Sequence, residues 1–341
     1  MSNVYFIPTS SLYQTTVAAE RLLKTVIEKE NILLEHEIPL KVHFGEKGNE
    51  TYIHQEQLIK LIDFLKLQNI KSEYIETNVL YRGERMKREP HIKLAKEHGF
   101  TALPINIADG EQGEATTEHT IHQKHIKVAK LASGYDNYNQ VIVISHFKGH
   151  MMAGFGGALK QLSMGFASRA GKLDMHAHAH PFLNPISCKK CNTCKNHCPV
   201  DAIHIGFYSR IDPKKCIGCA QCIANCPYGV ININWMSTKP KVFREKMVEY
   251  AYAAHKDRKN IYISFVTSVT PDCDCMGKKM KPIIPDIGVL ASADPVALDK
   301  ACYDLVADKG KKFNGVEQLE YAEKIGIGTQ KYILIQIENK E

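Results

Sequence analysis

QVIVISHFKGHMMAGFGGALKQLSM, residues 140–164, holds the decision about the fold. Its opening QVIVISH (140–146) is a short apolar run rich in β-branched residues, as a buried strand requires. ALKQLSM (158–164) has helix-forming character, and between the two lie His146, Lys148 and His150 at alternate positions, then GFGG (154–157). A strand, a glycine loop and a helix in succession are the unit of an α/β domain. Upstream the alternation repeats: VYFIP (4–8), TTVAAERLLKTVIEKE, IPLKVHF, HQEQLIKLIDFLK, SEYIET, HIKLAKEHG and TALPINI. Downstream it resumes with FREKMVEYAYAAH as helix, NIYISFVTSV and GVLAS as strands, ADPVALDKACYDLVAD as helix with Asp294 as N-cap and Pro295 at N1, and KYILIQI as a last strand. The expectation is one discontinuous α/β domain, 1–183 and 235–341, with a largely parallel or mixed sheet covered by helices and a small insert at 184–234.

With 341 residues, 44% apolar and 24% charged, the chain can bury a sizeable core. No run is long and apolar enough for a membrane span, and MSNVYFIPTSSLYQ lacks the pattern of a signal peptide, so a cytoplasmic protein is expected. The formal charge of +7 comes from basic residues interleaved with acids, which argues against nucleic acid as a partner.

Eight of the eleven cysteines fall between 188 and 226. CKKCNTCKNHCPVDAIHI (188–205) aligns with CIGCAQCIANCPYGVINI (216–233) at a shift of 28 residues, an internal duplication. Each half reads CxxCxxCxxxCP, the run in which three cysteines bind one [4Fe–4S] cluster and the fourth reaches the other. Cys188, Cys191, Cys194 and Cys226 would hold one cluster, and Cys216, Cys219, Cys222 and Cys198 the second. CxxC pairs also make zinc sites, but zinc requires neither the third cysteine of each run nor the mirrored CP ending. The segment resembles a bacterial two-cluster ferredoxin, a small α+β unit. Six basic residues (Lys189, Lys190, Lys195, Arg210, Lys214, Lys215) against Asp201 and Asp212 make it a surface for an acidic redox partner such as a ferredoxin or flavodoxin, or simply a soluble one.

QVIVISH ends where open α/β sheets place their ligands. An extended chain puts His146, Lys148 and His150 on one face. Gly154, Gly156 and Gly157 ahead of a helix, with Lys160, outline a cradle for phosphate or carboxylate, to which Arg169 and Lys172 add charge; the stretch matches neither GxGxxG nor the P-loop. KVHFGEKGNETY (41–52) again runs a strand into His43 and a glycine, which suggests a shared cleft. His176, His178 and His180 could ligate a metal, although a solvated approach to the insert is the plainer reading. Cys273 and Cys275 could ligate a metal, serve redox chemistry or be inert, and their spacing suits a cleft-lining thiol better than a zinc knuckle; Cys302 reads as core.

KVHFGEKGN (41–49), ETNVLYRGER (76–85) with His91 and HGF (98–100), SHFKGHMMAGFGGALKQLSMGFASRAGK (145–172), the cysteine block, and CDCMG with PDIGVLASADPVALDKA together resemble the family known as domain of unknown function 362, in the version with a two-cluster ferredoxin insert. Gln161 departs from the asparagine common there. The resemblance covers nearly the whole chain and implies an anaerobic-type iron–sulfur protein, with the reaction unassigned.

The expectation that unites these residues is a reductase: electrons pass through two [4Fe–4S] clusters to an anionic substrate or a flavin in the α/β cleft. Lys148, Lys160, Arg169 and Lys172 would bind the anion, and His146, His150, His43 or Tyr81 would supply the proton. A non-enzymatic electron-transfer adaptor and an iron–sulfur or metal chaperone are the competing expectations.

Overall fold

The computed structural model describes residues 1–176, 180–235 and 237–338. The α/β part runs β1 (Ser2–Pro8), α1 (Leu12–Lys29), β2 (Leu40–Lys41), α2 (Ile59–Leu67), β3 (Tyr74–Glu76), α3 (Arg88–Glu97), β4 (Ile105–Ile107), β5 (Ile142–His146), β6 (Lys148–His150), β7 (Gly154–Gly156), α4 (Ala158–Phe166) and α5 (Arg169–His176). After the cysteine-rich segment come α6 (Pro240–His255), β8 (Ile261–Val266), β9 (Gly288–Ser292), α7 (Pro295–Asp308), α8 (Glu317–Lys324) and β10 (Tyr332–Gln336).

Eight strands pair in the order β10-β1-β9-β8-β5-β2-β3-β4. Seven run the same way and β9 alone runs against its neighbours, so the sheet is mixed and mostly parallel. Alternation along each strand divides the apolar side chains between two cores. Ile142, Ile144, Ile261, Ile263 and Phe265 face α1 and α2. Val143, Tyr262, Val266 and Leu290 face α4, α6 and α7. α1 begins where the Ser11 side chain accepts from the Gln14 N–H, and it buries Ala18, Ala19, Leu22, Leu23 and Val26 at helical spacing. α7 starts as its sequence indicates, with the Asp294 carboxylate accepting from the N–H groups of Val296 and Ala297 and Pro295 in the first turn.

From β2 the chain steps outward to β3 and β4, then returns to the other side of β2 to form β5. The strand order therefore reverses between β2 and β5, a topological switch point whose carboxyl-end crevice is open to a ligand. His43 follows β2 there and His146 ends β5. One paired element was not legible: Thr116–Thr120 and Val128–Ala132 form a separate antiparallel ribbon.

Residues 182–232 leave the layers and come back through a short antiparallel pair, Leu183 opposite Ile231 and Phe182 opposite Asn232. Their apolar cluster includes Leu183, Ile203, Ile223 and Ile231, and Leu80, Met86 and Leu173 of the α/β part join it. The duplication is written into the backbone as well as the sequence. Left-handed φ occurs at Lys190, Asn192 and Asp201, and again at Gly218, Ala220 and Gly229, each offset by the same 28 residues. A left-handed residue reverses the chain sharply at a cost to any residue with a Cβ. In each half two of these residues fall between the first and third cysteines and the third follows the CP ending.

Candidate functional site

A cavity of ≈ 410 Å3 opens at the carboxyl ends of β2 and β3, in the size range of small organic ligands (roughly 300–1,000 Å3). The loop after β2 contributes His43, the end of β3 gives Glu76 and Thr77, and Tyr81 and Arg85 follow in the next loop. β6 supplies His150, α4 supplies Lys160, α5 supplies Lys172, and the loop after β8 brings Cys273 and Cys275. Met151, Met152, Met164, Met276 and Trp235 make the remaining wall apolar. The structure thus gathers His43, Tyr81, His150, Lys160 and Lys172 into one site. A smaller annex shares His43, Lys160 and Cys273 with it and takes in His146, Lys148 and Asp274.

The floor is a buried ion network: Lys41 lies 2.8 Å from Glu76, and Arg85 lies 3.8 Å from Glu76 and 3.3 Å from Glu46. Arg85 also donates to the Tyr81 hydroxyl at 2.6 Å. Burial pushes the Tyr81 phenol far up, so at neutral pH it is a hydrogen-bonding group and not an anion. His43 accepts the Gly45 N–H on Nδ1 at 3.1 Å, and His150 accepts those of Met152 and Ala153 on Nδ1 at 3.2 and 3.0 Å. Burial, then the positive charge of Arg85 for His43 and of Lys160 for His150, hold both rings well below their ordinary pKa. Each neutral ring therefore carries its hydrogen on Nε2. Burial and the charge of Lys148 pull the Lys160 amine down to about 7, and burial pulls Lys172 down to about 8 although Asp109 opposes it. The result is a pocket of neutral imidazoles and amines that titrate near physiological pH.

Three parts of the anticipated cleft behave otherwise. The glycine cradle already holds a carboxyl group, and it is the protein's own: Asp299 of α7, its pKa pushed up to about 7 by burial, accepts from the N–H groups of Ala158 and Leu159 at 2.6 and 2.9 Å. A Cβ at Gly157 would fall on that carboxylate, and one at Gly154 would fall on the Asn314 carbonyl, so these glycines serve close packing and not an external phosphate. The reason is tertiary: a buried helix start must have its amides paired. Arg169 is fully buried away from the cavity, where it donates to the Met86 carbonyl, and burial lowers its pKa to about 10 despite Asp109. His146 and Lys148 converge on Asp274 at 3.0 and 2.7 Å; although burial alone would raise it, His146 and Lys148 hold that carboxyl well below its usual range. Both side chains are thus engaged by an internal partner in the annex. Of the histidine run, His176 lines the cavity against Trp235 and Phe243, His180 is exposed, and His178 lies outside the described residues.

The eight cysteines of the block are free. Cys194 lies within electrostatic reach of Cys226, Cys188 and Cys191, and Cys216 within reach of Cys219 and Cys198. Cys222 senses Cys219 and Cys216 ahead of Cys194. Cys198, Cys216, Cys219 and Cys222 surround a common void. Backbone amides of Lys190 and Ala202 point at the sulfurs of Cys188 and Cys198 at 3.4 and 3.2 Å. Eight cysteine sulfurs in two groups of four, with amides aimed at sulfur, fit a pair of iron–sulfur cubanes. A second set that could hold a metal is His150, Cys273 and Cys275, whose donor atoms lie within 4.8 Å of one another. The two thiols are joined there as a disulfide.

Lys41, Glu76, Arg85 and Asp274 were not singled out by sequence. A lysine inside the apolar strand IPLKVHF was the available signal for Lys41, because a buried amine implies a carboxylate opposite.

These features define an α/β protein with a largely apolar cavity, set with a few titratable groups, at the carboxyl ends of a mostly parallel sheet. The chain belongs to the family described as "Domain of unknown function (DUF362)", which matches residues 38–304. No curated protein matches it. Among solved structures, a Thermotoga maritima protein overlaps at TM-score 0.46 and 10% identity, covering 87% of this chain and 59% of its own. The lactate racemase apoprotein of Thermoanaerobacterium thermosaccharolyticum overlaps at TM-score 0.46 and 11% identity, over 91% of this chain and 58% of its own. The chain therefore spans under two thirds of the length of either structure. Among the described residues no helix is long and apolar enough to cross a membrane.

Proposed function

We propose that this protein is an iron–sulfur reductase. Cys188, Cys191, Cys194 and Cys226 would hold one [4Fe–4S] cluster and Cys216, Cys219, Cys222 and Cys198 the other, within an insert spanning 184–234. When bound, each cluster passes one electron at a time. The observation that carries the reading is the shared wall between cysteine block and cavity. Leu80 lines the cavity and belongs to the block's apolar cluster, and Arg82, two residues on, donates to the carbonyl of Pro227 at 3.3 Å, next to Cys226.

In the cavity Lys160 and Lys172 attract an anionic substrate or a flavin, and Arg85 fixes Tyr81 beside it. Nε2–H of His43 and of His150 hydrogen-bond the bound group, the Lys160 ammonium is the proton donor, and the methionine and Trp235 wall limits water. An electron-transfer adaptor has no use for neutral imidazoles and low-pKa amines converging on a closed space. The donor would be an acidic carrier protein, suited to a basic segment that exposes Ile186, Phe207 and Tyr208. The test is anaerobic purification with iron and sulfide assay, then heat release of any organic cofactor and reduction by a photoreduced one-electron donor. Reducible iron close to eight atoms per chain is expected. Zinc in place of iron overturns the proposal, and clusters whose reoxidation is unaffected by Lys160→Ala favour the adaptor.

A further inference from the structure

The cavity places one oxidisable pair beside its proton donors. Cys273 and Cys275 both line it, Cys273 buried and Cys275 partly open. Their sulfurs are bonded to each other. The Cys275 N–H donates to Sγ of Cys273 at 3.2 Å, and Nζ of Lys160 stands 3.9 Å from the same sulfur. An amide and an ammonium directed at one sulfur stabilise its thiolate once the bond opens. His150 is the third neighbour, and its geometry discriminates between metal binding and redox chemistry. A histidine that binds metal directs its remaining N–H outward to an acceptor. The His150 ring does the reverse: Nδ1 accepts two backbone N–H groups, so its lone pair is spent and its hydrogen sits on Nε2. An N–H at Nε2 can hydrogen-bond a thiolate, and it offers a cation no lone pair.

We infer that Cys273 and Cys275 are a reversible dithiol–disulfide couple that receives the electrons entering the cavity. The inference rests on the reductase reading for its source of electrons. In the reduction the S–S bond breaks and two electrons enter, which bound clusters would supply one at a time. The two sulfurs take two protons, the first from the Lys160 ammonium and the second from water. Reoxidation returns both electrons and both protons to a two-electron acceptor bound in the cavity. The pair thereby performs the conversion from single electrons to electron pairs that a flavin would otherwise supply.

The experiment titrates the oxidised holoprotein anaerobically with a photoreduced deazaflavin, quenches it in acid, alkylates free thiols and resolves the 273–275 peptide by mass spectrometry. Cluster absorbance is followed in parallel. The expected result is conversion of that peptide from disulfide to doubly alkylated, with an uptake of about two electron equivalents per chain beyond those the clusters store. Cys273→Ser/Cys275→Ser should lose those two equivalents while keeping the cluster absorbance, which also shows that it has folded. Lys160→Met should slow conversion without changing the equivalents. Clusters that bleach while the peptide stays unconverted overturn the inference and leave the reductase reading in place. A chain without iron overturns that reading instead, and shows in the absorbance before any alkylation.

Discussion

Lys160 concentrates the chemistry of the site in one side chain. Its amine titrates at about 7 because the apolar wall and Lys148 oppose its charge. An unfolded lysine titrates near 10.4, so between these values the unfolded chain holds more protons and stability rises with pH. We expect Lys160→Met to raise the melting temperature at pH 6.5 by an amount that shrinks steadily toward pH 10. The gain is ~1–3 kcal/mol after discounting for water in the cavity. The same titration makes anion binding pH-dependent: a carboxylate such as citrate should bind more weakly as pH passes from 6 to 8.5, checked by calorimetry. Lys160 was legible because a lysine after a glycine loop implies a charge near a helix start. Arg169 shared that signal and turned inward, since a local pattern does not say where α5 sits against Met86. His146 and Lys148 sit where the chain directs them, at a strand end, but Asp274 meets them from more than a hundred positions away in sequence.

At the scale of elements, the start of α4 is governed by a carboxylate 141 positions along the chain, the separation between Ala158 and Asp299. Asp299→Ala strips the first turn of its acceptor and should lower stability by about 1–2 kcal/mol, as loss of an N-cap does. Gly157→Ala drives a methyl group into the same carboxylate and should cost about 1–3 kcal/mol. Urea unfolding measures both, and a Gly157→Ala protein as stable as the parent contradicts this account of the glycine. Elements set by their own residues were legible: α1 from its apolar spacing, α7 from Asp294 and Pro295, β5 from VIVIS. The Thr116–Ala132 ribbon was not, because TTEHT alternates nothing apolar, although its partner strand Val128–Ala132 buries Ala129, Leu131 and Ala132 in the core. IPLKVHF reads as a full strand, yet its ladder to β3 and β5 runs only over Leu40–Lys41, with single bonds from Ile38 to Lys71, just ahead of β3, and from Val42 to Ile75 of β3 before the chain turns to build the site.

Across the whole molecule the crossed cysteine assignment has a consequence that separate half-sites would not. Cys226→Ser, although it lies in the second half, should abolish the same cluster as Cys188→Ser, leaving about half of the iron, and Cys198→Ser should match Cys216→Ser. Iron assay with electron paramagnetic resonance of the remaining cluster checks this; if Cys226→Ser instead matches Cys216→Ser, the crossing is wrong. Charge reversal at Lys189 and Lys190 should slow electron entry from an acidic carrier about 3–10-fold at low salt, with the difference vanishing near 0.5 M, as for steered encounters. The layout of α/β part and cysteine block was legible because each has its own period, alternation in one and a 28-residue repeat in the other. Their common wall was not, as Leu80, Met86 and Leu173 look like ordinary core residues until the block packs on them.

The solitary antiparallel strand β9 also governs how the cavity is covered. A parallel neighbour would have sent the chain from β8 back across the sheet in a helix. Because β9 runs the other way, residues 267–287 turn round at the carboxyl edge and lie over the site as irregular backbone. Irregular segments exchange their amide hydrogens through small local openings. This one is tethered through Asp274 to His146 and Lys148, and through the Cys273–Cys275 bond to itself. Deuterium uptake at 272–278 therefore reports how often the cavity is uncovered, on a clock independent of catalysis.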